Sequence, residues 1–235
     1  MEKATGEFCK ICKEQKVDVA VFPGDFFVNP KPTAEAVLLI SKLFRWLEKN
    51  KIKVLGITGN HDITGSNRKS MNDVVSAIGN NQTWCYSKFD TLVIDNVGFG
   101  FLPFVKAPEI TAYNPDYAQM EMSEQLVQIA GGLSAKMSED ENVKKKILVG
   151  HWSIQGAITS SGKTMERTLN GAEVVLPLGD IASQDWDAVL FGHIHKPQVL
   201  HEQKPFVYST RKYIHVNHYD SRIDELSQSL RRNAA

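Results

Sequence analysis

The chain has 235 residues, of which 42% are hydrophobic and 23% charged, a composition typical of a globular protein with one sizeable core. Lys plus Arg and Asp plus Glu are both 27, so the formal net charge of zero provides no overall field that would attract nucleic acid or an anionic membrane. There is no apolar run of about 18 residues, as a membrane span requires, and no signal-peptide pattern. Three cysteines favour a reducing compartment over a disulfide framework, so we expect a cytoplasmic protein with no membrane contact.

The first 16 residues have the apolar spacing of a helix. Cys9 and Cys12 form a C-x-x-C pattern within it, but no second pair follows. We therefore interpret them as two cysteines on a buried helical face rather than as a zinc or redox site.

A strand, a helix and a second strand follow. Residues 17–23 form a short, β-branched apolar run typical of a strand buried on both faces. Thr33 is a suitable N-cap for a helix whose apolar residues recur at helical spacing, and residues 52–58 form the next buried strand. This pattern predicts a right-handed βαβ unit, and open α/β sheets build their sites at the carboxyl ends of such strands.

The remaining elements alternate between strands and helices, with no repeats and no obvious linker. In chain order we predict a helix at 69–78, strands at 83–89, 91–95 and 97–104, an irregular loop at 106–119, a helix at 120–137 interrupted or weakened at Gly131-Gly132, a strand at 146–149, a loop at 153–171, strands at 174–178 and 187–191 separated by a short helical turn, a hairpin at 198–209 and a small C-terminal helix. We expect one domain over residues 1–209 and a divergent tail over 210–235.

The most informative stretch is Gly192-His193-Ile194-His195, which ends a buried strand. Gly192 is expected to turn the chain there, because glycine tolerates backbone angles that other residues do not. Two imidazoles two residues apart are poor core residues and good metal ligands.

Three other strands end in the same way, with a glycine and then a polar side chain. The four residues that follow these glycines are Asp25, Asn60, His151 and His193. A carboxylate, an amide oxygen and neutral imidazoles suit manganese, iron or zinc better than magnesium or calcium. His61 follows Asn60 and is placed to protonate a leaving oxygen, with Asp62 orienting it or raising its pKa.

These blocks resemble the calcineurin-like metallophosphoesterases in order and roughly in spacing. They are GD at 24–25, GNHD at 59–62, GH at 150–151 and GHIH at 192–195. The resemblance covers the chain from Val17 to Ser209. Within that family, GHIHKPQ at 192–198 and VYS at 207–209 are most similar to the SbcD-type DNA repair exonucleases.

The resemblance implies a four-layer α/β/β/α sandwich with two divalent metal ions, normally Mn²⁺. It implies that Asp25 bridges both ions, that Asn60, His151 and His193 complete the second metal site, and that His195 belongs to the first. His61 would be the acid. Cleavage of phosphodiesters, a DNA substrate and an SbcC-like ATPase partner are implied in the same way.

The sequence departs from the family pattern at both ends. The family opens with a strand ending in Asp-x-His, and this block is absent before Asp25. We therefore expect the first metal site to lack two ligands and the sheet to lack its first strand; a start codon placed too far downstream, a real truncation or a degenerate paralogue would each explain this. After Ser209 we expect no counterpart of the DNA-contacting capping region that the resemblance to repair nucleases implies.

The leading hypothesis is a metal-dependent phosphodiester hydrolase, the nuclease subunit of an SbcCD-like DNA repair and recombination complex. One alternative is a phosphatase or small-molecule phosphodiesterase of the same superfamily. Another is a truncated, inactive chain that binds one metal ion or none and docks a partner. Residues 161–164 (SGKT) are similar to part of a phosphate-binding loop, but the spacing of the preceding glycine is wrong. Homodimerisation is left open.

Overall fold

In the computed structural model the chain forms two large β-sheets that pack face to face, with helices on the two outer faces, and a small third sheet of two parallel strands. The structure describes residues 2–28, 31–63, 81–116, 120–166, 173–209 and 214–216. Within them the α-helices are α1 (Glu2–Glu14), α2 (Ala34–Lys49), α3 (Ala107–Tyr113), α4 (Met122–Ser138) and α5 (Leu178–Ala182). The strands are β1 (Val19–Phe22), β2 (Lys53–Ile57), β3 (Thr83–Tyr86), β4 (Asp90–Ile94), β5 (Val97–Leu102), β6 (Lys145–Gly150), β7 (Ser153–Ile154), β8 (Val175–Leu176), β9 (Ala188–Phe191), β10 (Gln198–His201), β11 (Phe206–Ser209) and β12 (Ile214–Val216).

The first sheet has the strand order β12-β1-β2-β3. β1, β2 and β3 are parallel, as the predicted βαβ unit requires, and β12 pairs antiparallel with the other edge of β1. This places three residues of the C-terminal tail in the sheet. All four residues of β1 are buried, as their apolar run predicted.

Helices α1 and α2 cover the outer face of the first sheet. Phe8 and Cys12 of α1 pack with Phe44 and Leu47 of α2, and all four side chains are at most 3% exposed. Cys12 is buried on α1, as the interpretation of a helical face predicted. Thr33 caps α2 as predicted, because its Oγ1 accepts the N–H of Ala36 at 3.3 Å.

The second sheet has the order β10-β11-β9-β6-β5-β4. Its four central strands are parallel and its two edge strands are antiparallel. The predicted hairpin at 198–209 is the antiparallel pair β10–β11. α4 covers the outer face through Leu126, Ile129 and Leu133. Across the described ranges, no helix has both the length and the apolar character that crossing a membrane would need.

The space between the sheets is filled by the inward side chains of both. Val21 and Leu55 of the first sheet meet Val149 and Leu190 of the second, and none of the four is exposed to solvent. The ring of Tyr86 stacks on that of Phe101 across the interface, with 4.0 Å between centroids. Helix, sheet, sheet and helix thus form the four layers of the predicted sandwich.

Three predicted elements were wrong in part or in full. The predicted loop at 153–171 begins with a short strand, β7, which pairs parallel with β8. Residues 107–113 form α3 rather than irregular loop, because a proline in the first helical turn is compatible with a helix. α4 runs without interruption through Gly131-Gly132, because its buried face stabilises the helix by more than the glycines weaken it. The helices predicted at 69–78 and at the C-terminus lie outside the described residues.

Candidate metal centre

The carboxyl ends of β1, β2, β6 and β9 meet at one edge of the sandwich, two from each sheet. The structure brings together there the four side chains that the sequence singled out. Nε2 of His151 lies 3.0 Å from Oδ1 of Asn60 and 3.4 Å from Oδ2 of Asp25. Nδ1 of His193 lies 3.0 Å from the same Asn60 oxygen. The amide oxygen of Asn60 therefore faces both imidazoles, and Nε2 of His151 faces both Asn60 and Asp25.

The backbone is strained at two of these residues. Asp25 and His193 have φ of 54° and 79°, in the left-handed region that side chains with a Cβ rarely adopt. Such conformations cost about 1–3 kcal/mol each and concentrate at functional sites. The left-handed residue is His193, so the prediction that Gly192 makes the turn was wrong. Gly192 is needed for space instead, since a Cβ there would overlap the carbonyl oxygen of Pro23.

Asp25 is held as a carboxylate. Its Oδ1 accepts the backbone N–H of His61 at 3.0 Å, and its side chain is 15% exposed. Burial raises its pKa, but the imidazole of His151 and the N–H of His61 outweigh burial, so that its pKa lies below the usual range. A negative charge therefore faces the histidines at neutral pH.

The carboxylate of Asp62 bonds to the backbone, and its predicted effect on His61 stays a prediction. This fully buried carboxylate accepts the backbone N–H of Gly59 at 2.9 Å and those of Phe26 and Phe27 at 3.4 Å each. It thus ties the loop after β2 to the loop after β1, and none of these bonds reaches the imidazole of His61. Burial raises the pKa of Asp62 to about 6, although the hydrogen bond from the backbone N–H of Gly59 acts to lower that pKa.

The tautomer of His151 is set by the chain. Its Nδ1 lies 2.6 Å from the carbonyl oxygen of Pro23, which can only accept, so Nδ1 carries the proton. In the neutral ring the lone pair of Nε2 then faces two oxygens, those of Asn60 and Asp25. An acceptor that faces two acceptors is stabilised only by a proton or a cation between them.

The spacing of these atoms fits a transition-metal ion. Metal bonds of about 2.0–2.2 Å to nitrogen and oxygen place ligand atoms about 2.8–3.1 Å apart at right angles and about 3.3–3.6 Å apart at the tetrahedral angle. The observed 3.0 and 3.4 Å fall in these two ranges. A mixed nitrogen and oxygen set suits manganese, iron or zinc. If only His, Cys, Asp and Glu are counted, the described residues contain no group of three that could hold a metal ion. The fit of this site to a metal ion therefore requires the amide oxygen of Asn60.

Glu173 is a member of the site that the sequence analysis missed. Its Oε1 lies 2.9 Å from Nε2 of His193 and also accepts a hydrogen bond from Ser153 Oγ. Burial and the nearby His151 lower the pKa of His193, so the neutral ring donates from Nε2 to Glu173 and turns its Nδ1 lone pair toward Asn60. A carboxylate behind a ligating histidine is a common arrangement, but no local pattern marks which of the chain's 27 acidic residues supplies it.

His195 makes none of the contacts that join this cluster. It follows the buried Ile194 on the same loop and its side chain is exposed. In the part of the chain that the structure describes, the imidazole of His195 makes no hydrogen bond or ion pair. Its assignment to a first metal site shared with Asp25 stays a prediction.

Comparison with known proteins identifies the family of this chain. The model of the family described as calcineurin-like phosphoesterase matches residues 3–197. The SbcD chain of the SbcCD nuclease of Staphylococcus epidermidis is 29% identical over 202 residues, which are 81% of this chain and 50% of that protein. The chain therefore spans about half the length of this curated relative.

Two solved structures are also similar, each at 14% identity. One is GAP50, the anchor in the inner membrane complex of Plasmodium, with a TM-score of 0.47 over 87% of this chain and 64% of that one. The other is a Staphylococcus aureus protein assigned as a 5′-nucleotidase, in complex with alpha-ketoglutarate, with a TM-score of 0.49 over 95% and 52%. The family match spans most of the chain and includes every residue of the cluster, and the chain belongs to the calcineurin-like phosphoesterase family.

Proposed function

We propose that this chain is a metal-dependent phosphodiester hydrolase and that its substrate is DNA. The observation that carries the proposal is the convergence of Asp25, Asn60, His151 and His193 from four strand ends within 3.0–3.4 Å contacts. A divalent cation held by these atoms, for which we propose Mn²⁺, supplies Lewis acidity toward a phosphoryl group and lowers the pKa of a water. We further propose that Asp25 is shared with a second cation that His195 helps to hold.

The chain's own residues then perform the positioning and the proton transfer. Asp25 holds the backbone of His61 at the site through its Oδ1, and Asp62 ties together the loops that carry both residues. Glu173 and the carbonyl of Pro23 fix the tautomers of His193 and His151. The imidazole of His61, half-buried at the rim, donates the proton that the leaving oxygen takes up.

We propose DNA repair or recombination as the setting and an SbcC-like ATPase as the partner. The support is the 29% identity to a protein named as the SbcD component of the SbcCD nuclease, together with the GHIHKPQ string at 192–198. The cysteines, which are all free, agree with a cytoplasmic location.

The test is Mn²⁺-dependent hydrolysis of bis-p-nitrophenyl phosphate by the purified chain. Asn60→Ala and His151→Ala should each lower kcat/KM by about 100-fold or more, since each removes an atom of the cluster. The matched controls are Asn142→Ala and His201→Ala, outside the cluster, which should keep wild-type activity. An unchanged rate in Asn60→Ala or His151→Ala would refute the assignment.

Substrate preference and metal content separate the competing functions. A nuclease cleaves labelled duplex or single-stranded DNA, whereas preference for p-nitrophenyl phosphate would indicate a phosphatase. Two Mn²⁺ equivalents per chain, reduced to one in His195→Ala, would support the two-ion site. Fewer than two in the wild type, with no hydrolysis, would indicate an inactive metal-binding or docking chain.

A further inference from the structure

A cavity of about 380 Å³ opens beside the metal centre, where β2, β3 and β5 end. Its size lies in the range of roughly 300–1,000 Å³ that small-molecule sites occupy. Three aromatic rings line it, those of Phe89, Phe104 and Tyr113, and Lys88 and Glu109 are exposed residues of its lining.

The cavity shares its walls with the loops that carry the cluster. Thr58 lies in the wall two residues before Asn60, and its carbonyl accepts the N–H of Phe104 at 2.9 Å. The ring of Phe104 in turn stacks on Trp152, the neighbour of His151, with 5.0 Å between centroids. A molecule bound at the cluster therefore has the cavity within reach of its adjoining groups.

The aromatic side chains are arranged to receive a flat ring. Phe89 and Tyr113 meet edge to face with 5.2 Å between centroids, so each keeps a ring face that is not stacked on the other. Tyr113 is 54% exposed, which is unusual for so large an apolar ring in a globular chain.

The charged residues of the lining indicate which part of a substrate the cavity can bind. Lys88 and Glu109 bring one charge of each sign to the same lining, so the cavity has no net attraction for a second phosphate. A neutral, planar nucleobase suits it better, because base stacking on aromatic side chains is favourable and tolerates every base.

We propose that this cavity binds the nucleobase of the nucleotide whose phosphate lies at the metal centre. The inference rests on the proposed function for the identity of the substrate. It adds a base-stacking subsite formed by Phe89, Phe104 and Tyr113, and it assigns to Tyr113 the role of the accessible stacking ring.

The test compares 2′-deoxyadenosine 5′-monophosphate with 2-deoxyribose 5-phosphate, in which a hydroxyl replaces the base at the anomeric carbon. Binding to the wild-type chain is measured by saturation-transfer NMR titration in EDTA, so that neither metal nor hydrolysis contributes. The nucleotide should bind about tenfold or more tightly than the sugar phosphate, because stacking is the difference between them.

Tyr113→Ala should remove this difference by weakening the nucleotide about tenfold while leaving the sugar phosphate unchanged. Phe89→Leu, which keeps apolar volume but removes the ring, should act in the same direction. Leu38→Ala, which truncates another exposed apolar side chain on α2, should bind as the wild type does.

Equal binding of the two ligands to the wild type, no nucleotide binding at millimolar concentration, or equal weakening of both ligands in Tyr113→Ala would each overturn the proposal. The outcome is distinguishable from failure of the proposed function, since no step depends on catalysis. A chain that hydrolyses phosphodiesters but ignores the base refutes the subsite alone, and one that binds the base without hydrolysis refutes the function alone.

Discussion

Replacing Gly192 by alanine tests whether the close approach of two loops forms the metal centre. A Cβ at Gly192 would overlap the carbonyl oxygen of Pro23 and would lie 2.8 Å from Nδ1 of His151. These two atoms form the 2.6 Å hydrogen bond that fixes the His151 tautomer. The N–H of Gly192 is itself held by Gly150 O at 2.9 Å, so the loop has little freedom to retreat.

The expected cost follows from these contacts. Inserting a methyl group into packed structure costs about 1–3 kcal/mol. Loss of the His151 hydrogen bond adds about 0.5–1.5 kcal/mol. We therefore expect Gly192→Ala to lower the free energy of unfolding by about 1.5–4.5 kcal/mol. It should also weaken Mn²⁺ binding by about 10–100-fold, because the histidine loses its orienting partner.

The assay is urea unfolding in EDTA for stability, and calorimetric titration with Mn²⁺ for metal affinity. Gly132→Ala is the matched control, since a Cβ there meets nothing within 4 Å in the middle of α4. It should raise the free energy of unfolding by about 0.5–1 kcal/mol and leave Mn²⁺ affinity unchanged. If Gly192→Ala matched the wild type in both measurements, the two loops could not be as close as the structure has them.

The remaining predictions concern the two buried or half-buried acids of the site. Because the folded-state pKa of Asp62 is about 6 and its unfolded value 3.8, the folded chain binds more protons between these values. Its contribution to stability should therefore fall by about 2 kcal/mol as the pH rises from 4 to 6, and Asp62→Asn should lose that slope in urea unfolding with EDTA. Equal slopes in both chains would exclude Asp62 as its source. Glu173→Ala should weaken Mn²⁺ binding about tenfold or more, while Glu173→Gln, which still accepts from His193 Nε2, should lose much less; similar losses in both would mean that the charge and not the hydrogen bond matters.

Local pattern was enough to predict the parts of the site that lie at strand ends. Each of the four strands that carry a proposed ligand is a buried apolar run closed by a glycine, so Asp25 and Asn60 could be assigned to one edge from the sequence. The same rule puts His151 and His193 together at the edge of their own sheet, but it does not by itself predict that the edges of two different sheets meet. Parallel strands force their carboxyl ends to one edge, and this topological rule does not depend on the details of packing.

The parts that were missed depend on contacts distant in sequence or on packing. Asp62 joins the backbone of Phe26 across 36 positions, and Glu173 reaches His193 across 20. The residues next to either acid in the sequence form no pattern that indicates such a distant partner. α4 likewise persists through Gly131-Gly132 because of the sheet beneath it, a tertiary effect that overrides helix propensity.

The site also depends on how the two sheets are docked. Asp25 and Asn60 belong to the first sheet, whereas His151 and His193 belong to the second. The bond from His151 to the Pro23 carbonyl crosses between them, and beneath it lies the apolar core in which Leu55 meets Leu190. A cation that binds all four side chains can do so only when the sheets are packed together, so its binding free energy adds to the stability of that interface. By linkage, a substitution that loosens the core between the sheets weakens metal binding even where it touches no ligand.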